Sequence, residues 1–255
     1  MNSGHVMVAP DPSRILVGTI GVGDADYCQE ICRRVFALRE AWIPRAYCGP
    51  EGGFATLGCA TYLDVGSSGF PERDYYGRLP DQNRLLSQHF GDLLDRVRAR
   101  LCVAFNADIK MTDHLALPGF HVFWGSSLVD EPTPDLAHFD TQFQMLRWRG
   151  QWGTAAPKSF TLPVSLPQGG ASMDMWPITH REFVDGPGRT RNAHQYAGDT
   201  PELCRTHWYE LGVCTIQNDL WLHRIGRCGT RAANDFRITL QGHLMEIDGQ
   251  WITYW

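Results

Sequence analysis

The chain has 255 residues, 43% of them hydrophobic and 20% charged, with 23 basic against 28 acidic residues and a formal net charge of −5. That size allows a large core, and all-β barrels or sandwiches fill about 200–250 residues as one domain. The mild acidity argues against the broad basic face that holds nucleic acid, and no apolar run approaches the roughly 18–20 residues that span a bilayer.

Residues 1–13 read as a polar tail without the basic and apolar blocks of a secretory leader, so a cytoplasmic location is expected. After the apolar stretch 15–20, Cys28, Ile31, Val35, Leu38 and Trp42 recur at three- and four-residue steps and predict an amphipathic helix over 24–42. The segment CGPEGG at 48–53 ends it, and a strand-like run follows over 55–65. A second helix is predicted over 81–105, where Leu86, Phe90, Leu93, Leu94, Val97 and Leu101 form one stripe. From Leu115 the pattern changes to short apolar or alternating runs. Strands are predicted at 115–124, 137–146, 159–166, 171–177, 209–217, 219–225, 236–243 and 244–255. Asp248–Gly249 carries a hairpin signal, since both residues tolerate positive φ. Eight strands at this spacing make a sandwich or barrel. The organisation expected is one catalytic domain, with 14–114 supporting a β core over 115–255. Cys28, Cys32, Cys48, Cys59, Cys102, Cys204, Cys214 and Cys228 show no paired spacing and read as reduced thiols.

The segment AHFDTQFQM at 137–145, read as a strand, puts His138, Asp140, Gln142 and Gln144 on one face. An imidazole and a carboxylate facing a barrel interior need partners, and a metal ion would satisfy both. Far downstream, NDLWLHR at 218–224 delivers His223 from an apolar strand. Two adjacent ligands plus a distant histidine build a facial triad that leaves positions of an octahedral ion open. The run FRITL at 236–240 then places Arg237 and Thr239 on one face, where a planar guanidinium and a hydroxyl suit a carboxylate. Each feature also has a plain structural reading, as a core histidine or an internal ion pair. Competitors exist too. His180 and Glu182 form another His-x-acid triplet in a segment read as loop, Arg227 or Arg231 could replace Arg237, and His243 with Glu246 are set aside because they would not share a face.

Taken together, HxD, a distal His and Arg-x-Thr over roughly residues 115–255 resemble the iron(II)- and 2-oxoglutarate-dependent oxygenases. The resemblance implies a double-stranded β-helix, or jelly roll, with flanking helices. It implies iron(II) on His138, Asp140 and His223, 2-oxoglutarate on Arg237 and Thr239, and O2 as oxidant. It further implies oxidation of a C–H bond of a small molecule, by default hydroxylation, with release of succinate and carbon dioxide. The interruption at 179–209 reads as a substrate lid, and its Arg189, Arg191, His194, Tyr196, Arg205 and His207 suggest an amino-acid- or carboxylate-like substrate of specialised metabolism. A cupin-type metalloenzyme without 2-oxoglutarate and a non-catalytic jelly-roll binding module remain the alternatives.

Overall fold

The computed structural model describes residue 14 and residues 16–45, 51–65, 71–128, 131–230, 232 and 234–255, with the backbone alone at 71–74. The tail 1–13, Cys48 and Arg231 lie outside the described residues.

The large sheet is built of β1 (Val17–Gly21), β2 (Ile43–Pro44), β3 (Gly52–Leu57), β4 (Ile109–Lys110), β5 (Gly119–Gly125), β6 (Lys158–Ser165), β9 (Val213–Gln217), β11 (Phe236–Ile247) and β12 (Gln250–Tyr254). Its main order is β1-β9-β6-β11-β5-β3-β2, with β12 on β11 and β4 on β12. The small sheet is β7 (Ala171–Thr179), β8 (Arg205–Trp208) and β10 (Trp221–Cys228), in the order β10-β7-β8. The architecture is the expected double-stranded β-helix, and β1, β2, β3 and β4 of residues 14–114 join the large sheet beside the helices of that segment.

Period-two alternation assigns the faces of the large sheet. Ile238, Leu240 and Leu244 of β11, Phe120 and Val122 of β5, Phe160, Leu162 and Val164 of β6 and Cys214 and Ile216 of β9 join one apolar cluster. That cluster is covered by α1 (Ala25–Ala37) and α3 (Pro71–Phe105). Asp24 caps α1 by accepting the N–H of Tyr27 at 2.9 Å, and the predicted stripe is the buried one. In α3 all six predicted stripe residues are buried, and two helical segments meet at Phe90, whose φ of −135° breaks the helix. Each such side chain contributes about 1.5–3 kcal/mol on burial. The opposite face carries Ser159, Thr161, Thr215, Gln217, His121, Arg237, Thr239 and His243, all buried. The small sheet closes over this polar face through Met173, Met175 and Trp221, which pack with Phe123.

Several elements differ from expectation. Residues 137–146 are not a strand: His138 forms an isolated bridge with His223, and Gln142–Met145 is a 3₁₀ turn that buries Gln142 and Phe143 while exposing Gln144 and Met145. The 55–65 run splits into β3 and the short helix α2 (Thr61–Asp64). Residues 236–247 form one strand where two were expected, closed by a hairpin whose Asp248 and Gly249 have φ of 49° and 76°. The segment 179–209 is not a bare loop. It folds into α4 (His180–Asp185), α5 (Ala193–Asp199), two 3₁₀ turns and β8. Local capping boxes, Thr179 with Glu182 and Asn192 with Gln195, nucleate the two helices.

Candidate metal centre

His138, Asp140 and His223 come together with one ligand atom from each lying within 4.8 Å of the others. Backbone bonds set the pairing: the N–H of His138 donates to the carbonyl of His223 at 2.8 Å, and the N–H of His223 donates back at 3.0 Å. Each ring is then fixed by a carbonyl two residues upstream. Nδ1 of His138 donates to Leu136 O at 2.7 Å and Nδ1 of His223 to Trp221 O at 2.9 Å. A carbonyl only accepts, so the proton sits on Nδ1 and each Nε2 presents a lone pair, the arrangement a metal-ligating histidine requires. Both Nε2 atoms lie 3.7 Å from Oδ1 of Asp140. The side chains of Asp140 and His223 are 12% and 10% exposed, whereas that of His138 is 51% exposed.

Oδ2 of Asp140 is engaged on the other side. It accepts the Ser159 hydroxyl at 2.6 Å, and Ser159 Oγ lies 2.9 Å from Nδ1 of His243. Nε2 of His243 is 2.9 Å from the amide nitrogen of Gln142, and Tyr254 stacks on the ring at 5.0 Å. Burial alone would raise the Asp140 pKa, but His223, His243, His138 and the Ser159 hydroxyl outweigh it and hold the carboxyl below the usual carboxylate range.

Arg237 projects from β11 into the same interior and is 3% exposed. Its guanidinium lies over the rings of Tyr209 at 5.2 Å and Phe123 at 5.9 Å. Among the described residues, its Nε and Nη1 have no hydrogen-bond partner. Burying a cation without a counter-charge is costly, so this position fits an anion that the chain does not itself supply. Thr239 is fully buried two residues on and accepts from Gln241 at 3.4 Å. His207 donates or accepts at Thr215 Oγ1 across 3.0 Å and meets Tyr209 edge-on. Burial raises the Tyr209 pKa, with Arg237 pulling against it. His121 on β5 is within electrostatic reach of both Arg237 and Asp140.

The other expected residues are scattered. Arg205 and His194 are exposed, although His194 is close enough to act on the charge of His138. Arg189 ends a surface 3₁₀ turn, Arg191 pairs with Asp199 at 3.0 Å, and Tyr196 is buried against Phe183. Of the six residues expected to bind substrate, His207 meets Tyr209, the ring that Arg237 lies over. Glu182 is occupied by the α4 capping box and by Arg14 at 2.7 Å, which removes the His180–Glu182 alternative. Arg227 is exposed over Trp208. His243 corrects the sequence reading. It faces the interior, because β11 runs unbroken and residues 237, 239, 241 and 243 share one parity. Ser159 is a further interior residue, and the parity of β6 and β11 is the signal for it and for His243. Gln142, expected on the face of His138 and Asp140, does reach the cluster's surroundings, through a 3₁₀ turn and not a strand.

No protein-family model and no curated protein matches the sequence. The fold is similar to an N-substituted L-amino acid dioxygenase from Burkholderia ambifaria AMMD, with a TM-score of 0.52 and 13% identity over 94% of this chain and 86% of that one. Further likenesses are the alpha ketoglutarate dependent carbocyclase SnoK from nogalamycin biosynthesis (TM-score 0.49, 11% identity, 92% and 83% of the two chains) and HygX from Streptomyces hygroscopicus with nickel and 2-oxoglutarate bound (TM-score 0.44, 12% identity, 89% and 82%). At these identities the likeness is one of fold. Among the described residues, no helix is long and apolar enough to cross a membrane.

Proposed function

We propose that the protein is an iron(II)- and 2-oxoglutarate-dependent oxygenase of a small molecule. The observation that carries this reading is the joint presence, in one interior, of a His–Asp–His cluster with both Nε2 lone pairs free and a buried guanidinium whose Nε and Nη1 have no hydrogen-bond partner among the described residues. The fold shared with the Burkholderia dioxygenase is compatible with it.

His138, Asp140 and His223 would hold iron(II), a set of two neutral imidazoles and one carboxylate that suits the ion and leaves positions open. When bound, iron with 2-oxoglutarate and O2 supplies an oxidant for C–H bonds, with succinate and carbon dioxide as co-products. The chain's own part is to bind and orient. Arg237, with the Thr239 hydroxyl beside it, would take the distal carboxylate of 2-oxoglutarate in charge-assisted hydrogen bonds. Tyr209 and Phe123 wall the guanidinium and keep water from it. The half-exposed His138 marks the side from which substrate enters. Hydroxylation of an amino-acid- or carboxylate-like molecule is the finer reading, and the Arg and His content of 179–209, with His194 within electrostatic reach of His138, is what supports it.

The test is aerobic turnover of 2-oxoglutarate with and without ferrous iron. Iron-dependent succinate formation that Asp140→Ala abolishes is expected. Iron uptake without succinate would replace this reading with a metalloenzyme that does not use 2-oxoglutarate.

A further inference from the structure

We propose that Ser159 and His243 form a positioning relay that commits one oxygen of Asp140 and leaves only the other for the metal. The inference rests on the metal-site reading above and extends it to residues that touch neither metal nor cosubstrate.

The hydrogen-bond order follows from chemistry. A side-chain amide nitrogen only donates, so Gln142 donates a hydrogen bond to Nε2 of His243 across 2.9 Å. The ring proton of neutral His243 is therefore on Nδ1, and it faces Ser159 Oγ at 2.9 Å. With its lone pair occupied by that donor, the serine directs its single O–H to Oδ2 of Asp140 at 2.6 Å. Each donor in the run Gln142, His243, Ser159, Asp140 thus has one acceptor. Oδ1 is left 3.7 Å from both Nε2 atoms of the candidate triad. Rigid parts surround the run. Ser159 and His243 stand on paired strands β6 and β11 with 7% exposure each, and Tyr254 stacks on the His243 ring. A carboxylate free to rotate could offer both oxygens and take up a position that cosubstrate or O2 requires. A carboxylate with one oxygen already bonded has lost that option. Outer-shell partners of this kind typically hold metal affinity up by about 10–100-fold.

The test is anaerobic titration with ferrous iron or cobalt(II) alone, with the melting temperature of the metal-free protein measured beside it. Ser159→Ala is expected to bind the metal about 10–100-fold more weakly, and Ser159→Thr, which keeps the hydroxyl, to bind like wild type. His243→Leu should weaken binding, while His243→Asn, whose amide N–H can stand in for Nδ1–H, should restore most of it. The His243 pair decides the matter if Ser159→Ala does not fold. Wild-type affinity in Ser159→Ala and His243→Leu, or equal losses in the conservative and disruptive members of both pairs, would overturn the relay while leaving the triad standing. A wild-type protein that takes up no metal would overturn the triad itself.

Discussion

His138 and His223 exchange main-chain hydrogen bonds in both directions, at 2.8 and 3.0 Å, although they are 85 positions apart in the chain and His138 belongs to no strand. The pairing uses the backbone alone, so it does not depend on either imidazole. His138→Ala and His223→Ala are therefore expected to fold with a metal-free melting temperature close to wild type. What they should lose is the rise in melting temperature that ferrous iron gives the parent protein. Thermal melts with and without iron check this.

Arg237 carries an opposite pair of effects. Its unpartnered Nε and Nη1 cost stability in the absence of an anion. Arg237→Met should raise the melting temperature of the metal-free protein by about 2–4 °C per kcal/mol regained. The same change should abolish the further stabilisation that 2-oxoglutarate gives the iron-loaded wild type. Differential scanning fluorimetry with and without cosubstrate reads both signs, and a fall in the metal-free melting temperature would contradict the assignment.

His121 is held neutral. Burial first, and then Arg237, Arg45 and His243, push its pKa down to about 3, and it is 2.8 Å from the Tyr62 hydroxyl. An unfolded histidine takes up a proton near pH 6.5, so below that pH the unfolded state binds more protons than the folded one. Stability is fully present above about pH 6.5 and falls as pH drops toward the folded value. This residue accounts for about 1 kcal/mol per pH unit. His121→Gln should flatten the loss measured by denaturant unfolding between about pH 7 and about pH 5.

Arg45 and Asp64 form a bidentate ion pair at 2.7 and 2.8 Å, with 10% and 2% of their side chains exposed. Asp64 also accepts the N–H of Ala60 at the start of α2, at 2.8 Å. Removing one member of a buried pair costs about 3–5 kcal/mol. Asp64→Ala should lose that much in urea unfolding, and a loss below about 1 kcal/mol would show that the pair does not anchor α2.

The legible part of the molecule is the part where period dictates burial. The stripe of α1, the alternation of 236–240 and the Asp248–Gly249 turn each state their structure locally, and the burial of Arg237 follows from its parity. His138 and Asp140 do come together with His223, but not on the strand that their alternation predicts. Their placement comes from bonds to His223 and Leu136, which no local pattern encodes. Dividing β11 at His243 hid the interior role of that residue. The helices of 179–209 rest on capping boxes that were present in the sequence as Thr179 with Glu182 and Asn192 with Gln195. There the richness in Gly, Pro and charge suggested loop.

The central claim, that iron and 2-oxoglutarate share the interior between the triad and Arg237, is tested most directly by anaerobic titration with ferrous iron and 2-oxoglutarate, followed by visible absorption. A weak charge-transfer band in wild type is predicted, absent in His138→Ala and shifted to much higher 2-oxoglutarate concentration in Arg237→Ala. Iron binding with no band at any 2-oxoglutarate concentration would contradict it.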